Sequence, residues 1–389
     1  MHWVFFGLSL TSSWGNGHAT TYRGLLRGLR DLGHTIDFFE KDVPWYATQR
    51  DLPRPREATL HLYSDWPSVR PTVLALLARA DAVLVGSYFP DAVALLDDAL
   101  SGPHPPICFY DIDTPVTLAT VASGTCGYLR RDLIGKVDLY LSFTGGPVLQ
   151  ELRERWGARA VAPLYCACDP NDYPRAAARR VQPPVLLSYM GTFAPDRQSK
   201  LQRYLLEPAR QLPRAVFAVA GSMYPSVSTW PANVTYYHHL APEKHAGFYL
   251  NSCFTLNLTR QAMVEAGYSP SIRLFEAACT ATAVISDPWP GLEEFFAPGR
   301  EILVAADTGE MLDILQRTPL ERARQIGAAA RRRVLARHTG RHRAAELLAY
   351  RDEICCYGKL LQLHQSVVSK STASALAPAS FHLTDERAN

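Results

Sequence analysis

Between residues 253 and 304 the chain runs strand, polar loop, helix, strand, and this order constrains the fold more than any other feature of the sequence. Residues 253–258 (CFTLNL) are a short apolar run that reads as a buried strand, and residues 282–287 are another. Between them lies Gly267-Tyr268-Ser269-Pro270-Ser271, followed by the helical run Ile272-Arg273-Leu274-Phe275-Glu276-Ala277-Ala278-Cys279. Ser269, Pro270 and Ser271 offer N-cap and first-turn chemistry. A helix start carries unpaired N–H groups and a positive dipole end, which suits a phosphate. Glu276 sits in the second turn of an otherwise apolar helix, placed to accept hydrogen bonds from vicinal hydroxyls. The competing reading is a capped helix with a solvated glutamate.

A chain of 389 residues, 47% hydrophobic, has material for two domains with large cores. Its net charge of +3 does not call for an anionic polymer, and its arginines gather late in one helical run, which argues against a nucleic-acid binder. No apolar stretch reaches the length of a transmembrane helix. The opening residues MHWVFF read as a first strand rather than a signal peptide. The eight cysteines fall in predicted strands, helices or an adjacent pair, as expected of reduced thiols in a cytoplasmic protein.

The N-terminal half opens like a Rossmann unit. An apolar strand over residues 2–9 leads into Thr11-Ser12-Ser13-Trp14-Gly15-Asn16-Gly17-His18, then a helix with Tyr22, Leu25, Leu26, Leu29 and Leu32 on one face, then a strand over 34–40. The three-glycine dinucleotide fingerprint is absent, so a nicotinamide or flavin cofactor is not expected. Gly15, Asn16 and Gly17 form a loop that lets backbone approach a ligand. His18 ends it, at the sheet edge where such folds bind ligands. Residues 44–70, rich in proline, arginine and aromatics, read as irregular structure near the cleft. The run Pro106–Pro115 delivers Asp111 and Asp113 to a strand end. Three readings stand: Asp113 orients His18 as a triad aspartate does, the two carboxylates hold a divalent metal, or they cap the following helix.

The second half restarts the pattern at residue 185. A strand ends in Gly191-Thr192, which with Arg197 or Lys200 would meet a diphosphate. His239 opens a loop after a later strand and is a further candidate for contact with the same ligand. Thr259 and Arg260 follow the strand at 253–258. Residues 307–364 are helical, with the last helix crossing back onto the first domain. Their arginines (from Arg322 to Arg343) read as a solvated face, with attraction to a membrane surface as the alternative. His338 and His342 lack a supporting carboxylate and are set aside as a metal site. The expected division is 1–165, a linker at 166–184, 185–340, a crossover helix at 341–365 and a polar tail at 366–389.

The run SPSIRLFEAACTATAVISDPWPGLEEFFAPGREILV resembles the C-terminal domain of CgeB-like glycosyltransferases. The resemblance implies an α/β chain of the GT-B fold: two facing Rossmann-like domains, acceptor against the first and donor against the second. It implies that Glu276 holds the ribose of a nucleotide sugar, with Ser269, Ser271, Ile272 and Arg273 near the diphosphate. It also implies that a histidine placed like His18 deprotonates an acceptor hydroxyl. Where related enzymes often carry a second glutamate, eight positions before Glu276, this chain has Tyr268, which leaves stereochemistry open. The function expected is metal-independent transfer of a sugar from a UDP-, TDP- or GDP-linked donor to a small-molecule, glycan or lipid-linked acceptor, without a cofactor. The alternatives are a nucleotide-sugar epimerase and a non-catalytic nucleotide-sugar or glycan binder.

Overall fold

The computed structural model describes residues 1–174 and 184–356. Two all-parallel sheets form. The first contains β1 (His2–Phe6), β2 (Thr35–Lys41), β3 (Thr59–Tyr63), β4 (Ala82–Gly86), β5 (Ile107–Asp111), β6 (Leu139–Ser142) and β7 (Val161–Pro163) in the order β3-β2-β1-β4-β5-β6-β7. The second contains β8 (Val185–Met190), β9 (Phe217–Ala220), β10 (Val234–Tyr237), β11 (Ser252–Asn257), β12 (Ala283–Ser286) and β13 (Leu303–Val304) in the order β10-β9-β8-β11-β12-β13. Central strands such as β4 (AVLVG) and β5 (ICFYD) are buried along their whole length. Continuous apolar runs of this kind suit parallel strands covered by helices on both faces.

Strand order reverses at β1/β4 in the first sheet and at β8/β11 in the second. Ligands bind at such switch points, outside the carboxyl ends of the strands. Close approach explains two glycines there. A Cβ on Gly86 would sit 1.7 Å from the Tyr22 hydroxyl, and one on Gly221 would sit 2.0 Å from the Gly191 carbonyl oxygen.

Residues 44–70 depart from the expectation of irregular structure. They contain a short helix (Pro44–Ala47), β3, and the start of a helix (Trp66–Leu77) capped by Asp65, whose side chain accepts from the Ser68 amide. β3 is an edge strand with mostly part-exposed side chains, so it lacks the apolar run that marked its neighbours.

The late helices are Thr308–Arg317, Leu320–Arg337 and 340–356, with breaks between them rather than one continuous run. The last does cross back. The Gly340 amide bonds the Cys168 carbonyl, Leu347 is buried in the core shared with Leu25 and Leu29, and Arg351 donates to the Asp81 carbonyl. The expected crossover beyond residue 356, the tail, and linker residues 175–183 lie outside the described residues. The arginines are not all a solvated face. Arg343 is buried and paired with Glu346, and Arg333 pairs with Glu301.

The crossing depends on backbone contact. A Cβ on Gly340 would lie 2.1 Å from the Gly24 carbonyl oxygen, and one on Gly28 would lie 2.6 Å from that of Gly340. Gly340→Ala is expected to cost about 2–3 kcal/mol, since neither backbone can yield cheaply. Thermal unfolding of that variant beside an alanine at exposed Gly102, which meets nothing within 4 Å, checks it.

Candidate functional site

A cavity of about 370 Å³ lies between the two switch points and is lined from both halves of the chain. Gly15, Asn16, Gly17, His18 and Asp113 line one side; Gly191, Thr192, Arg197, His239, Thr259, Arg260, Ser269, Ser271, Ile272, Arg273 and Glu276 line the other. Of the residues singled out from sequence for the site, Asp111 and Lys200 do not line the cavity; Asp111 is fully buried at the end of β5.

His18 starts the helix His18–Asp31. Asn16 secures that start: its side-chain oxygen accepts from the amides of His18 (3.1 Å) and Ala19 (3.2 Å). Its amide nitrogen donates to the carbonyls of Ser12 and Trp14, so Asn16 is spent on shaping the loop. The preceding turn is held by Glu40, which sequence reading passed over. Fully buried at the end of β2, its carboxylate accepts from the Leu10 and Thr11 amides and the Thr11 hydroxyl at 2.6–2.9 Å. The acid that would meet a ribose in a dinucleotide-binding fold is here consumed by the loop.

His18 is 8% exposed, and its Nδ1 has no hydrogen-bond partner among the described residues. Burial lowers its pKa below the ordinary 6.5, and the nearby Asp113 charge opposes this. The expected triad-like bond is not made. Asp113 instead accepts from the Tyr88 hydroxyl at 3.1 Å and lies 4.0 Å from Arg260 Nη1, while the Tyr88 ring meets His18 edge-on at 5.2 Å. Tyr88 holds this place with φ of 63°, a conformation rare for a side chain of its size and concentrated at functional sites.

Asp111 does not line the cleft. It accepts from Tyr140 (2.5 Å), Thr117 (2.7 Å) and the Asp113 amide (3.2 Å). The strand ends at Asp111, and Asp113 stands two residues on, part-exposed at the cavity. Burial pushes the Asp111 carboxyl up to about 6. Folding thus favours its protonated form. The stabilisation is complete below the unfolded value of 3.8 and is lost as pH rises through about 6. Asp111→Asn is expected to remove that slope, which urea unfolding at pH 4.5 and pH 7 measures by comparison with wild type.

On the opposite wall, helix Ile272–Cys279 points its first turn at the cavity. Ser271 does not cap it; its hydroxyl donates to Asn257 Oδ1 at 2.7 Å. Ser269 is likewise engaged, 3.0 Å from the Thr144 hydroxyl of the first half. Arg273 is buried. It donates to the Met190 carbonyl and to Asn257 Oδ1 (3.1 Å), with its guanidinium 4.9 Å over the Tyr189 ring. Arg197 donates to the Thr192 carbonyl at 2.7 Å, and its Nε is buried without a partner among the described residues. Among the described residues neither arginine has a carboxylate within ion-pair distance. Two neighbouring cations differ. Arg260 bridges Asp196 and Asp113. Lys200, expected at the diphosphate, is turned away into a 2.7 Å ion pair with Asp287. Asp287 also accepts from the Thr259 amide and hydroxyl. Glu276, 5% exposed, accepts from Tyr173 (2.8 Å) and Tyr249 (3.1 Å). His239 has its pKa lowered by burial and by His245 and His238, against the pull of Asp51 across the cleft. Among the described residues there is no cluster of three or more metal-ligating side chains, and no helix is long and apolar enough to cross a membrane.

Two facing parallel sheets with a cleft at their switch points and a returning C-terminal helix define the GT-B class of fold. Residues 197–349 match the family model described as glycosyl transferase-like. Solved structures agree in architecture. Sucrose-phosphate synthase from Thermosynechococcus elongatus aligns with TM-score 0.66 at 15% identity, covering 92% of this chain and 100% of that one. Anabaena HepE in complex with UDP-glucose gives 0.65 at 12%, covering 90% and 100%. The α,α-trehalose 6-phosphate synthase of Burkholderia multivorans gives 0.61 at 13%, covering 92% and 99%. No curated protein matches the sequence.

Proposed function

We propose that this chain is a glycosyltransferase that moves a sugar from a nucleotide-diphosphate donor to an acceptor hydroxyl, without a metal ion, and that it is of the CgeB-like type. One observation carries the reading: Arg273 and Arg197 face the cavity as buried or half-buried cations with no carboxylate among the described residues to neutralise them. A buried unpaired charge is costly, and a diphosphate supplies the missing partner in geometry suited to guanidinium. Beside them, the uncapped first turn of helix Ile272–Cys279 offers amides and a positive dipole end.

In this reading the donor lies on the second half, its diphosphate near Gly191, Thr192, Arg197 and the helix start, its ribose at Glu276 and its base towards His239. The acceptor enters beside His18. The neutral imidazole takes the acceptor hydroxyl proton as that oxygen bonds the sugar's anomeric carbon. The bond from that carbon to the diphosphate breaks, and the arginines and amides hold the departing charge. Asp113 stabilises the imidazolium through space, since no direct bond joins them. The structural neighbour HepE, solved with UDP-glucose, makes a uridine donor the first to try.

Calorimetry with UDP, GDP and TDP in EDTA and then in Mn²⁺ tests the donor half. One nucleotide is expected to bind in EDTA; binding that requires Mn²⁺ overturns the metal-free reading. With the matching nucleotide sugar, release of the diphosphate is expected to require an acceptor. Turnover without one indicates an epimerase, and binding with no turnover indicates a non-catalytic binder.

A further inference from the structure

Glu276 is held from two directions. Its Oε1 accepts from the Tyr173 hydroxyl at 2.8 Å and its Oε2 from the Tyr249 hydroxyl at 3.1 Å. An ionised carboxylate has about four acceptor positions, two on each oxygen. The tyrosines occupy one per oxygen and leave one per oxygen for the cavity that Glu276 lines. Two adjacent acceptors of this kind match two vicinal O–H donors. Both tyrosines are fully enclosed, and burial with the adjacent Glu276 charge pushes their hydroxyls well above 10, so they remain donors.

The two clamps come from different parts of the fold. Tyr249 lies on helix Pro242–Leu250 of the second half. Tyr173 follows the last strand of the first sheet, on the segment that leads towards the second. That segment is fastened to the same site: Cys166 donates to the Pro270 carbonyl at 3.3 Å, and Cys168 is fully buried in the core that holds Cys279. The chain joining the halves therefore reaches under the helix that carries Glu276.

We propose that Tyr173 is a positioning residue that sets the Glu276 carboxylate to read a ribose diol, so that the site selects ribonucleoside over 2′-deoxyribonucleoside diphosphates. This rests on the reading of Glu276 as a donor ligand. It narrows the donor to a ribonucleotide and disfavours TDP. Without the Tyr173 hydroxyl the carboxylate turns more freely, and the hydrogen bonds it loses are those to the diol alone. Contacts to the diphosphate, made elsewhere, are retained.

The test is calorimetry with UDP and 2′-deoxy-UDP, and with GDP and 2′-deoxy-GDP, on the wild type, Tyr173→Phe, Tyr249→Phe and Glu276→Gln. The wild type is expected to favour the ribo form by about tenfold or more. Tyr173→Phe should reduce that preference to about threefold or less, through weaker binding of the ribo form, with the deoxy form, which presents only its 3′-hydroxyl to Glu276, weakened less. Tyr249→Phe removes the other clamp, is expected to act in the same direction, and serves should Tyr173→Phe fail to fold. A preference that survives both substitutions overturns the role of the tyrosines while leaving Glu276 in place. Equal weakening of ribo and deoxy forms assigns Tyr173 to structure alone and also overturns it. A wild type that binds both forms equally, unaffected by Glu276→Gln, brings down the reading of Glu276 itself.

Discussion

His18→Gln is expected to lower kcat by about 10²–10⁴-fold, the range lost when a positioned general base is removed. Nucleotide binding should stay within about twofold, because Arg273, Arg197 and Glu276 belong to the other wall. The pH profile separates a base from a residue that merely shapes the acceptor site. Burial lowers the pKa of His18, so the imidazole remains neutral below 6.5. The acidic limb of kcat/KM is expected below that value, and it should vanish from whatever activity His18→Gln retains. Asp113 supplies the opposing pull. Removing that charge with Asp113→Asn makes the imidazolium harder to form, so the limb should move to still lower pH as the maximal rate falls. A limb at or above 6.5, or one unmoved by Asp113→Asn, would take the proton transfer away from His18.

The alternation of apolar runs with amphipathic stretches was enough to read the two Rossmann-like units, because parallel strands buried on both faces must be apolar throughout. The cavity's walls were legible for the same reason: Gly15–His18 and Gly191-Thr192 follow strands whose ends converge at switch points, while Ser269–Glu276 follows β11 only after a short helix, Gln261–Ala266, in the stretch read as a polar loop. What individual side chains do there was much less legible. Lys200 and Arg197 look alike in sequence, yet Lys200 is neutralised by Asp287, 87 residues away. Ser271 has the right spacing for a cap but bonds Asn257, which packing brings alongside. Tyr173 gave no local signal, since its partner is 103 residues distant. Glu40 carried a faint one, an acid directly after the apolar pair Phe38-Phe39 in the strand TIDFFE. Local pattern decides where the chain goes; hydrogen bonds across many residues decide which polar groups are left free for a ligand.

Arg273→Met is expected to raise the Kd of the bound nucleotide by about 100-fold while costing the ligand-free protein little stability. Losing a charge-assisted contact to a phosphate in an enclosed site removes about 2–3 kcal/mol of binding. The stability side has opposing parts. Substitution strips a donor from the Met190 carbonyl, although Asn257 Oδ1 keeps its bond from Ser271. It also relieves the desolvation of a cation that no carboxylate among the described residues compensates, and methionine fills the space over Tyr189. Arg27 is the contrasting case. It is paired with Asp169 at 2.6 Å and Asp172 at 3.2 Å, so its charge is already satisfied by the protein. Arg27→Met leaves those carboxylates unpaired and should lower the melting temperature without changing nucleotide affinity. Melting curves with and without saturating nucleotide measure both effects. For Arg273→Met the ligand-free curve should nearly overlay the wild type and the nucleotide-induced rise should largely disappear. If it instead melts early and keeps that rise, Arg273 is a structural cation, and the diphosphate site must be sought elsewhere in the cleft.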